Sequence, residues 1–259
     1  MIDDFSIIIS SCDKFSDLWE QHLNQFKEHW KGEFPLIYLV TDKNTYFEFE
    51  GVKILVFDGD MPLRLQAACR AIDAKNVLVT LDDYFVIDDI REENIKFLVD
   101  KVKSKQIDYL RIYDRQFNKK KYYTSIDVLN EIDLKRKYAV SLYPAIWNKE
   151  FLIKCVDKDD TPWKFEPELT NKAIQFNAKC YYNNSGVFNI LDVVRKGLVL
   201  HKANRYFRKY DIDIGDRPLV DRRVEIKLFI ADFIWWYMPK WVYRLARKVA
   251  ENLGMEFYS

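Results

Sequence analysis

Between Phe5 and Leu81, four short aliphatic runs alternate with two stretches of helical spacing, and this alternation constrains the fold more than any other feature of the chain. The runs are Phe5 to Ser10, Pro35 to Val40, Val52 to Phe57 and Asn76 to Leu81. Each is short and rich in Ile, Val or Leu, as a buried strand is. Residues 16 to 30 put Leu18, Trp19, His22, Leu23, Phe26 and Trp30 at helical spacings, behind a Ser16 expected to cap the helix. Pro62 to Ala74 is expected to form a second helix, with proline in its first turn. The order β, α, β, β, α, β implies an α/β fold with a mostly parallel, Rossmann-like sheet flanked by helices. Such sheets bind ligands at the carboxyl ends of their strands. Ser10, Ser11, Cys12 and Asp13 are therefore expected on one edge with Asp82 and Asp83.

Past Asp89 the pattern predicts a helix over 91–104, a strand from Tyr109 to Tyr113 and a basic, aromatic loop from Gln116 to Tyr123. In that loop Lys119, Lys120 and Lys121 can line an acceptor path or simply be solvated. Val140 to Trp147 is expected to be extended and Lys149 to Val156 helical. Pro162 and Pro167 are expected to bracket a loop before a helix from Glu168 to Asn177. From Val224 the chain changes character. Ile226, Phe229, Ile230, Phe233 and Ile234 lead into Trp235-Trp236-Tyr237-Met238, and Lys240, Arg244, Arg247 and Lys248 follow Pro239. This stretch is too short to span a bilayer but suits an amphipathic basic helix lying on one. The expected organisation is an α/β domain over 1–223 and a helical appendage over 224–259.

Lys and Arg number 41 against 40 Asp and Glu, so no overall field recommends nucleic acid as a partner. The four cysteines, Cys12, Cys69, Cys155 and Cys180, form no C-x-x-C pair, which argues for thiols in a reducing cytoplasm. Asp3 and Asp4 precede the run from Phe5, in place of the basic flank of a signal peptide.

Three constellations can carry chemistry. Asp82 and Asp83 end a hydrophobic strand, where paired carboxylates can hold a hard divalent cation against a diphosphate; a solvated turn or helix cap is the plainer alternative. In Thr161-Pro162-Trp163-Lys164-Phe165-Glu166, the Glu166 carboxylate lies among aromatics, which would raise its pKa toward that of a general base. Trp163 and Phe165 can stack on a sugar ring, whereas a simple helix cap is the alternative for Glu166. Third, Arg195, Lys196, His201, Lys202, Arg205, Arg208 and Lys209 form a run without acids, suited to a diphosphate or to solvent. Arg64 can reach a phosphate or base, and His201 can join Asp83 on a metal.

Together these residues resemble a family of bacterial GT-A glycosyltransferases of capsular polysaccharide and lipopolysaccharide assembly, over roughly residues 5 to 200. The matching features are the Ser-Cys/Asp strand end at Ser11 to Asp13, the Arg64-Leu65 pair, the Asp82-Asp83-Tyr84-Phe85 segment in place of Asp-x-Asp, and Trp163 to Glu166. The resemblance implies a GT-A fold and transfer of a sugar from a nucleotide sugar, UDP-linked, to a saccharide or lipid-linked acceptor. It implies inversion, with Glu166 as base. Ser10, Ser11, Cys12, Asp13, Arg64, Asp82, Asp83, Arg195, Lys196 and Lys202 would bind the donor, and Mg²⁺ or Mn²⁺ would sit on Asp83 and His201. Peripheral contact of 224–259 with the inner face of the membrane is expected beside it. Two rivals are a sugar-phosphate nucleotidyltransferase, disfavoured because no glycine follows the first strand, and a non-catalytic carbohydrate-binding or membrane-scaffold protein.

Overall fold

A computed structural model describes residues 2–43, 46–113, 123–227 and 230 of the 259. Two compact units divide the chain at Asp192–Val193. This lies upstream of the boundary expected at Val224, which was drawn from a change in composition and not from packing.

In the first unit, β1 (Phe5–Ser10) feeds α1 (Trp19–His29), then β2 (Trp30–Lys31), β3 (Ile37–Thr41) and β4 (Val52–Val56). After α2 (Met61–Ala71) come β5 (Asn76–Leu81), β6 (Tyr84–Val86), β7 (Ile90–Arg91), α3 (Glu92–Lys105) and β8 (Tyr109–Arg111). The remainder is β9 (Asn130–Glu131), β10 (Ala145–Asn148), α4 (Lys149–Cys155), α5 (Pro162–Gln175), β11 (Cys180–Tyr182) and β12 (Ile190–Asp192). Eight strands make one sheet in the order β4-β3-β1-β5-β10-β8-β11-β9. Strands β10 and β9 run against the other six.

Strand alternation divides the core between the two faces of this sheet. Ile7, Ile9, Leu39 and Leu78 pack with Trp19, Leu23 and Phe26 of α1 and Ile95, Leu98 and Val99 of α3. Ile8, Val40, Val77 and Val79 pack with Leu65, Ala68 and Cys69 of α2, Leu152 of α4, and Phe165 and Leu169 of α5. Because both faces are covered, β1 is buried along its whole length, which is why it lacks polar alternation.

Two local expectations are corrected. Ser16 lies inside a short 3-10 helix, Asp13–Leu18, and α1 begins at Trp19 with no side-chain cap on its Leu18 N-cap. The segment between Pro162 and Pro167 is helix, not loop. Pro162 occupies a first-turn position where its missing N–H has no helical partner to lose. Pro167 lies within the helix, four residues after Trp163, whose carbonyl it cannot bond.

The second unit contains the hairpin of β13 (Val194–Arg195) and β14 (Leu198–Val199), followed by α6 (His201–Lys209). A further helical stretch covers 222–227. Among the described residues no helix is long and apolar enough to cross a membrane. Most of the loop from Gln116 to Tyr123, with Lys119 to Lys121, lies outside the described residues, as do the Trp235-Trp236 segment and the basic residues after Pro239.

Candidate donor and catalytic site

The parallel register brings the strand ends together as the βαβ pattern requires. Ser10 is opposite Val40 of β3 and Leu81 of β5, and the Asp82 N–H donates to the Ser10 carbonyl at 3.3 Å. Just beyond, the Ser11 hydroxyl donates to the Asp82 carboxylate and accepts from Trp19 Nε1 at 2.6 Å. A ring nitrogen of His22, Nδ1, lies 3.0 Å from the Asp82 carbonyl and donates to it. Burial drives the His22 pKa down to about 4, so the ring is neutral; its face meets Phe85 edge-on at 5.1 Å. Asp82 is thus fixed through both backbone and side chain.

Arg64 is buried on α2, and both terminal nitrogens hold loop carbonyls: Nη2 donates to Ser11 at 3.0 Å and Nη1 to Gly59 at 2.5 Å. Gly59 suits this turn because its φ is +96°. Through these two bonds Arg64 positions the Ser11 loop.

The same edge contains a residue that the sequence reading missed. Asp42, directly after β3, accepts the Asp13 N–H at 2.7 Å and the Thr41 hydroxyl at 3.4 Å. Burial alone would raise its pKa, but the Asp13 and Asp42 N–H groups, Arg64 and Thr41 together hold it below the usual carboxylate value. Cys12, half-buried between these acids, stays a thiol because burial, Asp82 and Asp42 all raise its pKa.

On the other side of Asp83 the surface is aromatic. Tyr84 stacks on Tyr143 at 5.9 Å, and Tyr143 meets Tyr113 at 5.6 Å. Glu166, on α5, accepts the Leu142 N–H at 3.1 Å, next in sequence to Tyr143. Burial pushes the Glu166 carboxyl above the usual range, against the opposing pull of that hydrogen bond. Burial also raises the Tyr84 phenol well above its usual pKa, with further contributions from Asp83, Tyr143, Asp192 and Glu166. The expected base and the expected metal acid thus both bear on the Tyr84 phenol through their charge. Asp192 joins them through the register of β12 with β6, in which it faces Tyr84.

Of the two aromatics expected to hold a sugar, Trp163 is 82% exposed but Phe165 is only 1% exposed. The helix turns Phe165 into the core, leaving no ring face for a sugar. Among the described residues no three His, Cys, Asp or Glu side chains gather within range of one metal ion. Arg195, Lys196, His201 and Lys202 belong to the second unit, where Lys196 takes a left-handed turn with φ +52° and His201 opens α6 with its N–H on Glu225.

No family model and no curated protein matches the chain. Solved structures do. S. aureus TarS, residues 1–349, matches with a TM-score of 0.50 and 16% identity over 71% of this chain and 59% of that one. The mannosyltransferase PcManGT of Pyrobaculum calidifontis, in complex with GDP-Man and Mn²⁺, gives 0.50 and 13% over 83% of this chain and 66% of that one. A second structure of S. aureus TarS gives 0.50 and 14% over 90% and 44%. The chain thus spans 59% of the length of the first of these. At such identities the likeness is one of fold, and the fold is of the GT-A type.

Proposed function

We propose that the chain is a glycosyltransferase that moves a sugar from a nucleotide donor, UDP-linked, to a saccharide or lipid-linked saccharide in bacterial surface polysaccharide synthesis. The observation that carries this reading is the cradle of Ser11, Asp42 and Arg64 at parallel strand ends, beside Asp82-Asp83, with a buried Glu166 on the Leu142 N–H next to the Tyr143 that stacks on Tyr84. The nucleotide occupies the β1 and β3 ends, and its diphosphate lies toward Asp83. Glu166 takes the proton of an acceptor hydroxyl as that oxygen attacks the anomeric carbon. The carbon–oxygen bond to the diphosphate breaks on the opposite side, which inverts the configuration. A carboxylate with a raised pKa is the stronger base for this step.

The residues fit a metal carried mainly by the substrate. Mg²⁺ commonly takes one or two carboxylates and completes its shell with phosphates and water, and Asp83 is the carboxylate that would hold it. Such an ion supplies positive charge to the departing diphosphate.

The test is thermal shift of the wild type and Asp83→Ala with UDP, GDP, CDP and ADP, each with and without Mg²⁺ or Mn²⁺. One nucleotide should stabilise the wild type and do so less in the variant. If none does under any metal condition, the donor-site reading is wrong.

Peripheral membrane contact through 224–259 belongs to the same proposal. Val224, Ile226 and Ile230 are 46%, 59% and 50% exposed, beside the exposed bases Arg222, Arg223 and Lys227. Truncation after residue 223 should abolish sedimentation with anionic vesicles; unchanged sedimentation would remove the membrane claim.

A further inference from the structure

The geometry points to a further pair of specificity residues: we propose that Asp192 and Tyr84 hold the ring of the donor sugar, against the wall formed by Tyr84, Tyr143 and Tyr113. This rests on the donor reading above. Strand order supplies the ruler, because neighbouring strands lie about 4.8 Å apart. Along the edge, β3 and β1 carry Asp42 and Ser11, and β5 carries Asp82 and Asp83. The next strand in the sheet, β10, follows the chain that bears Tyr143 and the Leu142 N–H on which Glu166 rests. A nucleotide sugar laid along this edge with its diphosphate at Asp83 puts its sugar at Tyr84.

The groups there suit a polyol. A sugar ring presents hydroxyl hydrogens at its rim and C–H groups on its faces. Asp192, held opposite Tyr84 by the antiparallel pairing of β12 with β6, is acceptor-only when ionised and can take one or two hydroxyls. The Tyr84 hydroxyl can donate to a ring oxygen. Its ring is held by Tyr143 at 5.9 Å, and Tyr113 supports Tyr143 in turn. A second phosphate would be repelled here by Asp192 and Glu166, so the wall separates the sugar end of the donor from its charged end.

The experiment measures binding of UDP, GDP, UDP-N-acetylglucosamine and GDP-mannose to the wild type, Asp192→Asn and Tyr84→Phe. The quantity read is each variant's affinity for a sugar nucleotide relative to the matching diphosphate. Loss of a hydrogen bond to a charged group should change that ratio about tenfold or more in Asp192→Asn, with diphosphate affinity unchanged. Tyr84→Phe, which keeps the stacked ring, should change it less and in the same direction. An unchanged ratio in both variants overturns the inference while leaving the donor reading in place. Equal loss of diphosphate and sugar nucleotide in both variants also overturns it, because the residues would then serve the diphosphate or the fold. If the wild type binds none of the four, the donor reading falls and this inference falls with it.

Discussion

On the Asp42 side of the strand edge, Ser11, Trp19, Arg64 and Asp42 are bonded to one another or to the backbone, whereas on the Glu166 side a buried carboxyl holds one backbone N–H beside stacked tyrosines. Backbone N–H groups, Arg64 and Thr41 hold the Asp42 pKa down against burial, whereas burial raises that of Glu166. A cradle satisfied in advance has little left to rearrange when a nucleotide arrives. The opposite side holds a carboxyl, Glu166, that burial disfavours in its charged form, on the Leu142 N–H. In the transfer proposed above, the satisfied part would place the donor, and the other, loaded part would carry the reactivity.

The largest expected effect is at Glu166. Exchange to Gln keeps an oxygen for the Leu142 N–H and removes the base, so transfer should fall by about 10²- to 10⁴-fold while nucleotide binding persists. Stability should respond in the opposite sense. The folded pKa of Glu166 is raised, so the wild type loses stability as pH climbs from the unfolded value, about 4.3, through the folded one. Urea unfolding of Glu166→Gln should therefore show a growing advantage over that window. A variant that keeps a near wild-type transfer rate would end the contrast between the two sides.

The next effect is on the satisfied side. His22 is neutral in the fold with a pKa near 4, against 6.5 when free. The unfolded chain binds the proton first, so stability is present above 6.5 and is lost as pH falls toward 4. The difference amounts to about 3 kcal/mol. His22→Gln lacks this titration, and its stability should fall less steeply over the same range. Parallel pH profiles for the two proteins would mean that the buried ring is not what makes this side acid-sensitive.

How far each side could be read from sequence follows the same division. The Asp42 side is built on aliphatic strands of five or six residues joined by helices, and their pattern located β1, β3, β4, β5 and the meeting of Ser11 with Asp82. Asp42 itself was missed, although it ends β3 just as Ser11 ends β1, and the strand-end rule would have found it. The Glu166 side is built on pieces too short to have a period: β6 and β12 are three residues each, so no pattern announces that Asp192 faces Tyr84. Pro167 disguised α5 as a loop, and with it the burial of Phe165. Glu166 was legible because its aromatic neighbours are adjacent in sequence, and its bond to Leu142 was not because those residues meet only through the fold.

The smallest expected effect sharpens what the loaded side does for an acceptor. Trp163 lies three residues before Glu166 on α5, so the two are neighbours on the helix surface, and Trp163 is 82% exposed. An exposed side chain with so little burial contributes little to the fold, so Trp163→Ala should change stability by no more than about 0.5 kcal/mol. If the indole stacks on an acceptor sugar, its loss should raise the acceptor KM about three- to tenfold with kcat nearly unchanged, the size expected of one aromatic contact. Trp163→Phe should restore most of that loss. Steady-state kinetics at varied acceptor decide the matter: a fall in kcat at constant KM would instead mean that Trp163 shapes the surroundings of Glu166 and serves the base, not the acceptor.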